Sequence, residues 1–157
     1  MPACFGRDPA PGAMPSPSCS AHSPQAWKGE VWGGTLYAIK NRIINITDKN
    51  AVLAVIGAER PDAVIHCAAW TAVDMADDDD KAAQVHHVNA DGTRNVAEAC
   101  KSVASKMIYI SIDYVFDGQG TEPWKPDCKD YKPLSVYGRS KLDGELAVAE
   151  VLGKYLI

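Results

Sequence analysis

The sequence has no apolar run of the roughly 18 or more residues that a membrane-crossing helix requires, so no membrane partner is expected. It is also short of basic charge: 16 Lys and Arg stand against 20 Asp and Glu, for a net charge of −4. Phosphate backbones and anionic surfaces need a basic face, so no nucleic-acid partner is expected either. The N-terminus lacks the basic start and continuous apolar core of a secretory signal, which points to a cytoplasmic protein. Cysteines are few and odd in number: Cys4, Cys19, Cys67, Cys100 and Cys128, with no C-x-x-C. That argues against a disulfide framework and against a zinc site. Cys67 and Cys100 lie in apolar segments and are expected to act as small core hydrophobes.

What is present divides unevenly. Six of the ten prolines fall before residue 25, mixed with Ser, Ala and Gly. Residues 1–33 have no helical or strand period and are expected to be disordered or atypical. From about Thr35 strands and helices alternate. Thr35–Ile39 is a short β-prone run, and Thr47 or Asp48 can cap a helix over 48–59. Pro61-Asp62 breaks the chain before the run 63–69, whose continuous apolar character suits a parallel strand buried on both faces. A long helix is expected over 80–104, with Val85, Asn89, Gly92, Val96, Ala99 and Val103 at helical spacing. Gly92 in that stripe suggests close approach of another backbone. Lys106–Ile112 reads as the next strand, with a further short strand at Tyr114–Phe116. Ser135–Leu152 reads as a helix with Leu142, Leu146 and Ala149 as its stripe, and 155–157 as a last strand. This alternation predicts an α/β fold, a doubly wound parallel sheet.

Tyr137 and Lys141 stand four residues apart and so share one face of that last helix. A tyrosine titrates near pH 10, and an adjacent lysine cation is expected to favour the phenolate. Such a pair suits general acid–base work on a carbonyl. It follows a strand ending near Ser111, and ligands of open α/β sheets bind at the carboxyl ends of strands. Alone, Tyr-x-x-x-Lys is a weak signal.

Its context strengthens it. Asn45-Ile46-Thr47-Asp48, Arg60–Asp74 with Ala68-Ala69-Trp70-Thr71-Ala72-Val73-Asp74, Val88–Asn95, Ser111–Gly118 and Pro133–Glu145 occur in order. Together they resemble the dTDP-4-dehydrorhamnose reductase family, a branch of the extended short-chain dehydrogenases, over 35–157. The resemblance implies a Rossmann-like fold, with 34–157 a partial NAD(P)-binding domain. It also implies reduction of dTDP-4-dehydro-L-rhamnose to dTDP-L-rhamnose with NADPH or NADH, with a nucleotide-sugar partner and a homodimer as the expected assembly. By position Tyr137 would be the proton donor and Lys141 its partner and ribose ligand. Asn45 and Ile46 would lie near the adenine. Ala68, Ala69 and Thr71 would line the cofactor, and Thr71, Val73 and Asp74 the sugar nucleotide.

Two departures from the family pattern bear on activity. Ile112 stands where the family has Thr or Ser, and an isoleucine can neither donate nor accept a hydrogen bond. Alternation along the strand is expected to turn Ser111 to the other side. Residues 1–34 also hold no G-x-x-G-x-x-G turn of the kind that cradles a pyrophosphate. A sheet lacking its first strand and an impaired enzyme with little or no NAD(P)H binding are therefore expected. A non-catalytic regulatory protein on the same scaffold, like the methionine adenosyltransferase beta regulatory subunit, is the alternative. A nucleotide-sugar epimerase or dehydratase would use the same pair but fits the segment 68–74 less well.

Other polar features have plainer readings. Asp77–Asp80 lacks the ligand alternation of a calcium loop and fits as negative charge at the start of the next helix. His86 and His87 face different ways on a helix and are expected at the surface, with no metal. His66 is expected to be a satisfied packing residue, and Trp124 a loop anchor.

Overall fold

Asp48 sets the start of the first helix. Its carboxylate accepts from the backbone N–H of Asn50 at 3.0 Å and of Ala51 at 3.1 Å, which satisfies two donors that have no partner within the helix. The computed structural model describes residues 27–31, 34–38, 44–78 and 80–157. Helix α1 runs Lys49–Glu59 and stops at Arg60, which adopts the left-handed conformation (φ 43°) just ahead of Pro61.

The chain divides between Arg42 and Ile43. On the N-terminal side, β1 (Trp27–Val31) pairs antiparallel with β2 (Gly34–Ala38). Of the segment 1–33, expected to be disordered or atypical, residues 27–31 form β1 and the rest lies outside the described residues. The 35–39 run does not enter the parallel sheet. Its partner lies only two residues upstream, a connection that antiparallel strands accept and parallel strands cannot.

After the division, β3 (Ala63–His66), β4 (Lys106–Tyr109) and β5 (Tyr155–Leu156) form a parallel sheet in that order. Helices join them, as parallel strands require. They are α2 (Val73–Ala76), α3 (Ala82–His86), α4 (Gly92–Ser102) and α5 (Val136–Val151). The α/β class and parallel order agree with the expectation.

Register puts Val64, Met107 and Tyr155 in one row and Ile65, Ile108 and Leu156 in the next. Met107 and Tyr109 point into the main core, with Val52 and Ile56 of α1, Val96 and Cys100 of α4, and Val148 of α5. On the opposite face Ile65 is 56% and Leu156 61% exposed. The expectation that the 63–69 strand is buried on both faces is thus corrected. β3 is an edge strand of this sheet, and the core of the second unit lies on one side of it. The strand also stops at His66, so Cys67 is exposed rather than a core thiol, whereas Cys100 is buried as expected.

The helix expected over 80–104 is interrupted. A π turn, His87–Asp91, separates α3 from α4. Gly92 follows it, and a Cβ there would lie 2.8 Å from the Ile46 side chain, so the close neighbour is a side chain and not another backbone. The expected strand at 114–116 is a short 3-10 turn, Asp113–Val115. In α5 the expected stripe is rotated: Leu142 is buried, but Leu146 and Ala149 are exposed. The buried face instead carries Tyr137, Ser140, Lys141, Gly144, Glu145 and Val148, because each polar member of it finds a partner described below or packs beside one.

Candidate active site

The N-terminus of α5 is held from two directions. Ser135 Oγ accepts from the Gly138 N–H at 3.0 Å, and Asp77 Oδ1 accepts from the Val136 N–H at 2.8 Å. The first acid of the 77–80 run, expected as negative charge at the start of the next helix, thus serves the start of a distant one. A helix N-terminus carries partial positive charge, which suits a carboxylate whichever part of the chain supplies it.

In the first turn of α5, Tyr137 is buried with Ala76 and Val85, and Trp70, Val73, Ile112 and Val136 pack against that cluster. Its ring meets Tyr114 edge-on at 6.3 Å. Burial, and secondarily Tyr114, push the Tyr137 phenol above its ordinary range. This corrects the expectation that Lys141 draws it toward the phenolate. The lysine is directed elsewhere. Its Nζ donates to the Ile110 carbonyl at 2.7 Å and lies 4.1 Å from the centre of the Tyr109 ring. Lys141 is only 3% exposed. Burial lowers it to about 8, with Glu145 and Cys67 acting in the opposite direction. Ile110 is the first residue past β4, so the ammonium sits at the carboxyl end of the sheet, where such folds bind ligands.

Asn89, inside the π turn, ties this helix to the segment after β3. Its Oδ1 accepts from the Trp70 N–H at 2.7 Å, while its Nδ2 donates to Ser140 Oγ at 2.9 Å and to the Trp70 carbonyl at 3.4 Å. Ser140 in turn donates to the Tyr137 carbonyl at 2.7 Å. Sequence reasoning placed Asn89 in an apolar stripe and missed this role. A buried amide among apolar stripe residues was the available signal, since such a group needs partners.

Thr93 Oγ1 donates to the Asn89 carbonyl at 2.6 Å and lies 3.0 Å from His66 Nε2. Because the hydroxyl proton goes to Asn89, His66 must donate to Thr93 and is neutral with its proton on Nε2. Burial, with Lys141 second, lowers His66 to about 4. It is the satisfied packing residue expected, stacked on Tyr109 at 5.4 Å between ring centres.

The remaining candidates fall into two places. Ala68 and Thr71 are exposed and Ala69 half-buried in the segment that Asn89 holds, with Val73 packed beside Tyr137 and Asp74 exposed on α2. Asn45 and Ile46 form a separate turn. Asn45 Oδ1 accepts from Thr47 Oγ1 at 2.8 Å and from its N–H at 3.1 Å. Ile46 packs against the main core, and its carbonyl accepts from Asn95 Nδ2 at 3.0 Å. The two places share α4: Asn95 fixes the turn, and Thr93, half a turn earlier, fixes the end of β3.

Ser111 and Ile112 part as alternation predicts. Ser111 Oγ donates to Glu145 Oε1, two turns beyond Tyr137 on α5, while Ile112 packs at Tyr137. Ser111 is thus engaged away from the phenol. His86 reaches Asp143 at 3.2 Å and His87 reaches Asp91 at 2.9 Å, each on its own partner. No cluster of metal-ligating side chains occurs among the described residues. Trp124 stacks on Phe116 at 4.6 Å, as a loop anchor does. It also lines an open cavity of about 560 Å³ in the loop from Gln119 to Cys128, to which none of the candidate residues contributes.

The chain matches the family model described as RmlD substrate binding domain over residues 28–157. It is 41% identical over 120 residues to a dTDP-4-dehydrorhamnose reductase of Streptomyces griseus, covering 76% of this chain and 38% of that protein. A crystal structure of dTDP-4-dehydrorhamnose reductase from Bacillus anthracis in complex with NADP superimposes with a TM-score of 0.68 at 40% identity. That match covers 72% of this chain and 39% of the other. Methionine adenosyltransferase 2 subunit beta of Pongo abelii is 39% identical over 107 residues, 68% of this chain and 31% of that protein. The chain therefore spans under two fifths of the length of these relatives.

Proposed function

Since the chain belongs to the RmlD substrate binding domain family, we propose that its site serves NAD(P)H-dependent reduction of dTDP-4-dehydro-L-rhamnose to dTDP-L-rhamnose, in impaired form. The observation that carries this reading is Lys141, buried with its ammonium on the Ile110 carbonyl at the sheet's carboxyl end, one turn from Tyr137. A relative of this kind binds NADP.

The residues present fit the nicotinamide-ribose end of such a cofactor. Lys141 gives one N–H to Ile110, leaving two donors for ribose hydroxyls. The segment 67–71, exposed at Cys67, Ala68 and Thr71, begins beside it, with backbone positions at Ala68 and Ala69 bare of bulky side chains. Asn45 Oδ1 is taken up by its own turn, so only its Nδ2 serves an adenine there. For the pyrophosphate, the sequence offers no glycine-rich turn leading into a helix.

When bound, a reduced nicotinamide supplies the hydride. Tyr137, a phenol protonated at neutral pH and pushed further that way by burial, is the group that gives the substrate carbonyl oxygen its proton. Val73, packed beside Tyr137, and the neighbouring Thr71 and Asp74 border the sugar nucleotide. Ile112 brings no hydroxyl to the carbonyl, and this is one source of the impairment. Free thiols at Cys67, Cys100 and Cys128 support a reducing, cytoplasmic setting. No described helix is long and apolar enough to cross a membrane. A homodimer is the assembly we propose, to be read from light scattering, and the net charge of −4 gives no support to a nucleic-acid partner. The regulatory-subunit reading rests on a lower identity over a shorter span and is not favoured.

The test is NADPH oxidation by the purified chain with the keto-sugar nucleotide, beside Tyr137→Phe. Slow turnover that vanishes in Tyr137→Phe is the expected result. Oxidation equal in both proteins, or absent in both at saturating cofactor, overturns the catalytic reading.

A further inference from the structure

Two consecutive residues leaving β4 each hold one side chain of α5. Ile110 accepts Lys141 through its carbonyl, and Ser111 donates its hydroxyl to Glu145. Lys141 and Glu145 are themselves one turn apart, and both are buried. A carboxylate with so little solvent is costly unless it is paired and hydrogen-bonded. The charge-assisted bond from Ser111 favours the carboxylate form but brings no positive charge to offset the burial of the acid.

We propose that Glu145 is a positioning residue for Lys141: clamped by Ser111, it supplies the buried counter-charge that keeps the ammonium charged and seated on Ile110. The groups facing Lys141 support this. From its own helix comes Glu145; from β4, the Tyr109 ring, and from just past it the Ile110 carbonyl; from the end of β3, neutral His66 and the Cys67 thiol. Glu145 is the one carboxylate among them. Burial raises its pKa above the ordinary carboxylate range, while Ser111 and then Lys141 pull it back down. The carboxylate and the ammonium thus each offset the other's burial. The role deepens the reductase reading, because an uncharged Lys141 would have one donor fewer and weaker bonds to Ile110 and to ribose hydroxyls.

The experiment is an NMR titration of the Lys141 Cε resonance in protein labelled with 13C-lysine, assigned by its loss in Lys141→Met. The wild-type midpoint is expected near pH 8. In Glu145→Gln it should fall by about one pH unit, roughly a tenfold change in the protonation equilibrium, and Glu145→Asp should restore part of it. A folded Glu145→Gln with an unmoved midpoint overturns the proposal. If Glu145→Gln does not fold, Ser111→Ala decides: releasing the carboxylate should also lower the Lys141 midpoint, and an unchanged value overturns the proposal. A lowered midpoint in a protein that neither binds nor oxidises NADPH would uphold this role while sinking the reductase reading. An unmoved midpoint in an active protein would do the reverse.

Discussion

Asn89 and Ser140, fifty-one positions apart in sequence, are joined by a buried hydrogen bond of 2.9 Å that ties the π turn to α5. The same amide holds both backbone groups of Trp70. Three segments thus meet at one side chain, and the segment that would line a cofactor owes its position to it.

Replacing Asn89 by Ala leaves the Trp70 N–H buried without its acceptor and Ser140 without its donor. A lost buried partner costs on the order of 1–3 kcal/mol, so about 3 kcal/mol is expected for the whole. Asn89→Asp keeps the acceptor for Trp70 but cannot donate to Ser140, and should fall between the two. Urea midpoints at constant slope measure it. Equal stability of all three proteins would show that the junction contributes nothing.

Glycines in the two long helices separate packing from propensity. A Cβ on Gly144 would stand 2.7 Å from the Asn89 carbonyl oxygen and 2.7 Å from the Tyr109 hydroxyl. Gly57, in α1, has nothing within 4 Å of such a Cβ. Gly144→Ala should therefore destabilise by about 1–3 kcal/mol, since backbone and a packed ring must shift. Gly57→Ala should stabilise by about 0.5–1 kcal/mol through helix propensity. Thermal midpoints moving in opposite directions are the expected result; a shared sign would contradict the close approach at Gly144.

His66 predicts an acid-labile fold. Its value of about 4 in the folded chain lies below the 6.5 of an unfolded histidine, so between those limits the unfolded chain binds more protons. Stability then rises with pH across the window and is lost as pH falls from 6.5 toward 4. The contribution is on the order of 3 kcal/mol in full. Carboxylates titrate in the same range, so the informative quantity is a difference. His66→Gln should lose less stability than the wild type between pH 7 and pH 4.5 in urea melts. Parallel losses would assign the acid sensitivity to other groups.

Much of this was legible before any coordinates. Capping chemistry at Thr47 or Asp48 announced the first helix, and apolar runs over 63–69 and 106–112 announced two strands, which end at His66 and Tyr109. What local pattern could not supply was neighbourhood. The stripe of Leu142, Leu146 and Ala149 obeys helical spacing as well as the true buried face does. Only the partners of Ser140, Lys141 and Glu145 decide between them. Likewise the run 63–69 reads as fully buried because its composition is apolar, but burial of a strand's second face depends on what else covers it. The Tyr137–Lys141 pair was visible at its spacing, whereas the direction of the lysine, toward Ile110, was not. Spacing fixes a shared helix face and says nothing of where a long flexible side chain ends.

The last prediction concerns Ile112. Its backbone is extended (φ −155°, ψ 155°), and its side chain packs at Tyr137, while Ser111 is held by Glu145. A hydroxyl at 112 would thus stand on the side of the strand exit that faces the phenol, which the hydroxyl of Ser111 does not. One polarising donor at a reacting carbonyl is worth on the order of 100-fold or more in rate. Ile112→Thr should raise Tyr137-dependent turnover by about that factor, with the rise in kcat. Ile112→Val supplies the comparison, because it removes similar bulk and adds no hydroxyl. It should leave kcat unchanged and cost about 0.5–1.5 kcal/mol of stability. Equal rates for the Thr and Val variants would mean that position 112 does not reach the carbonyl.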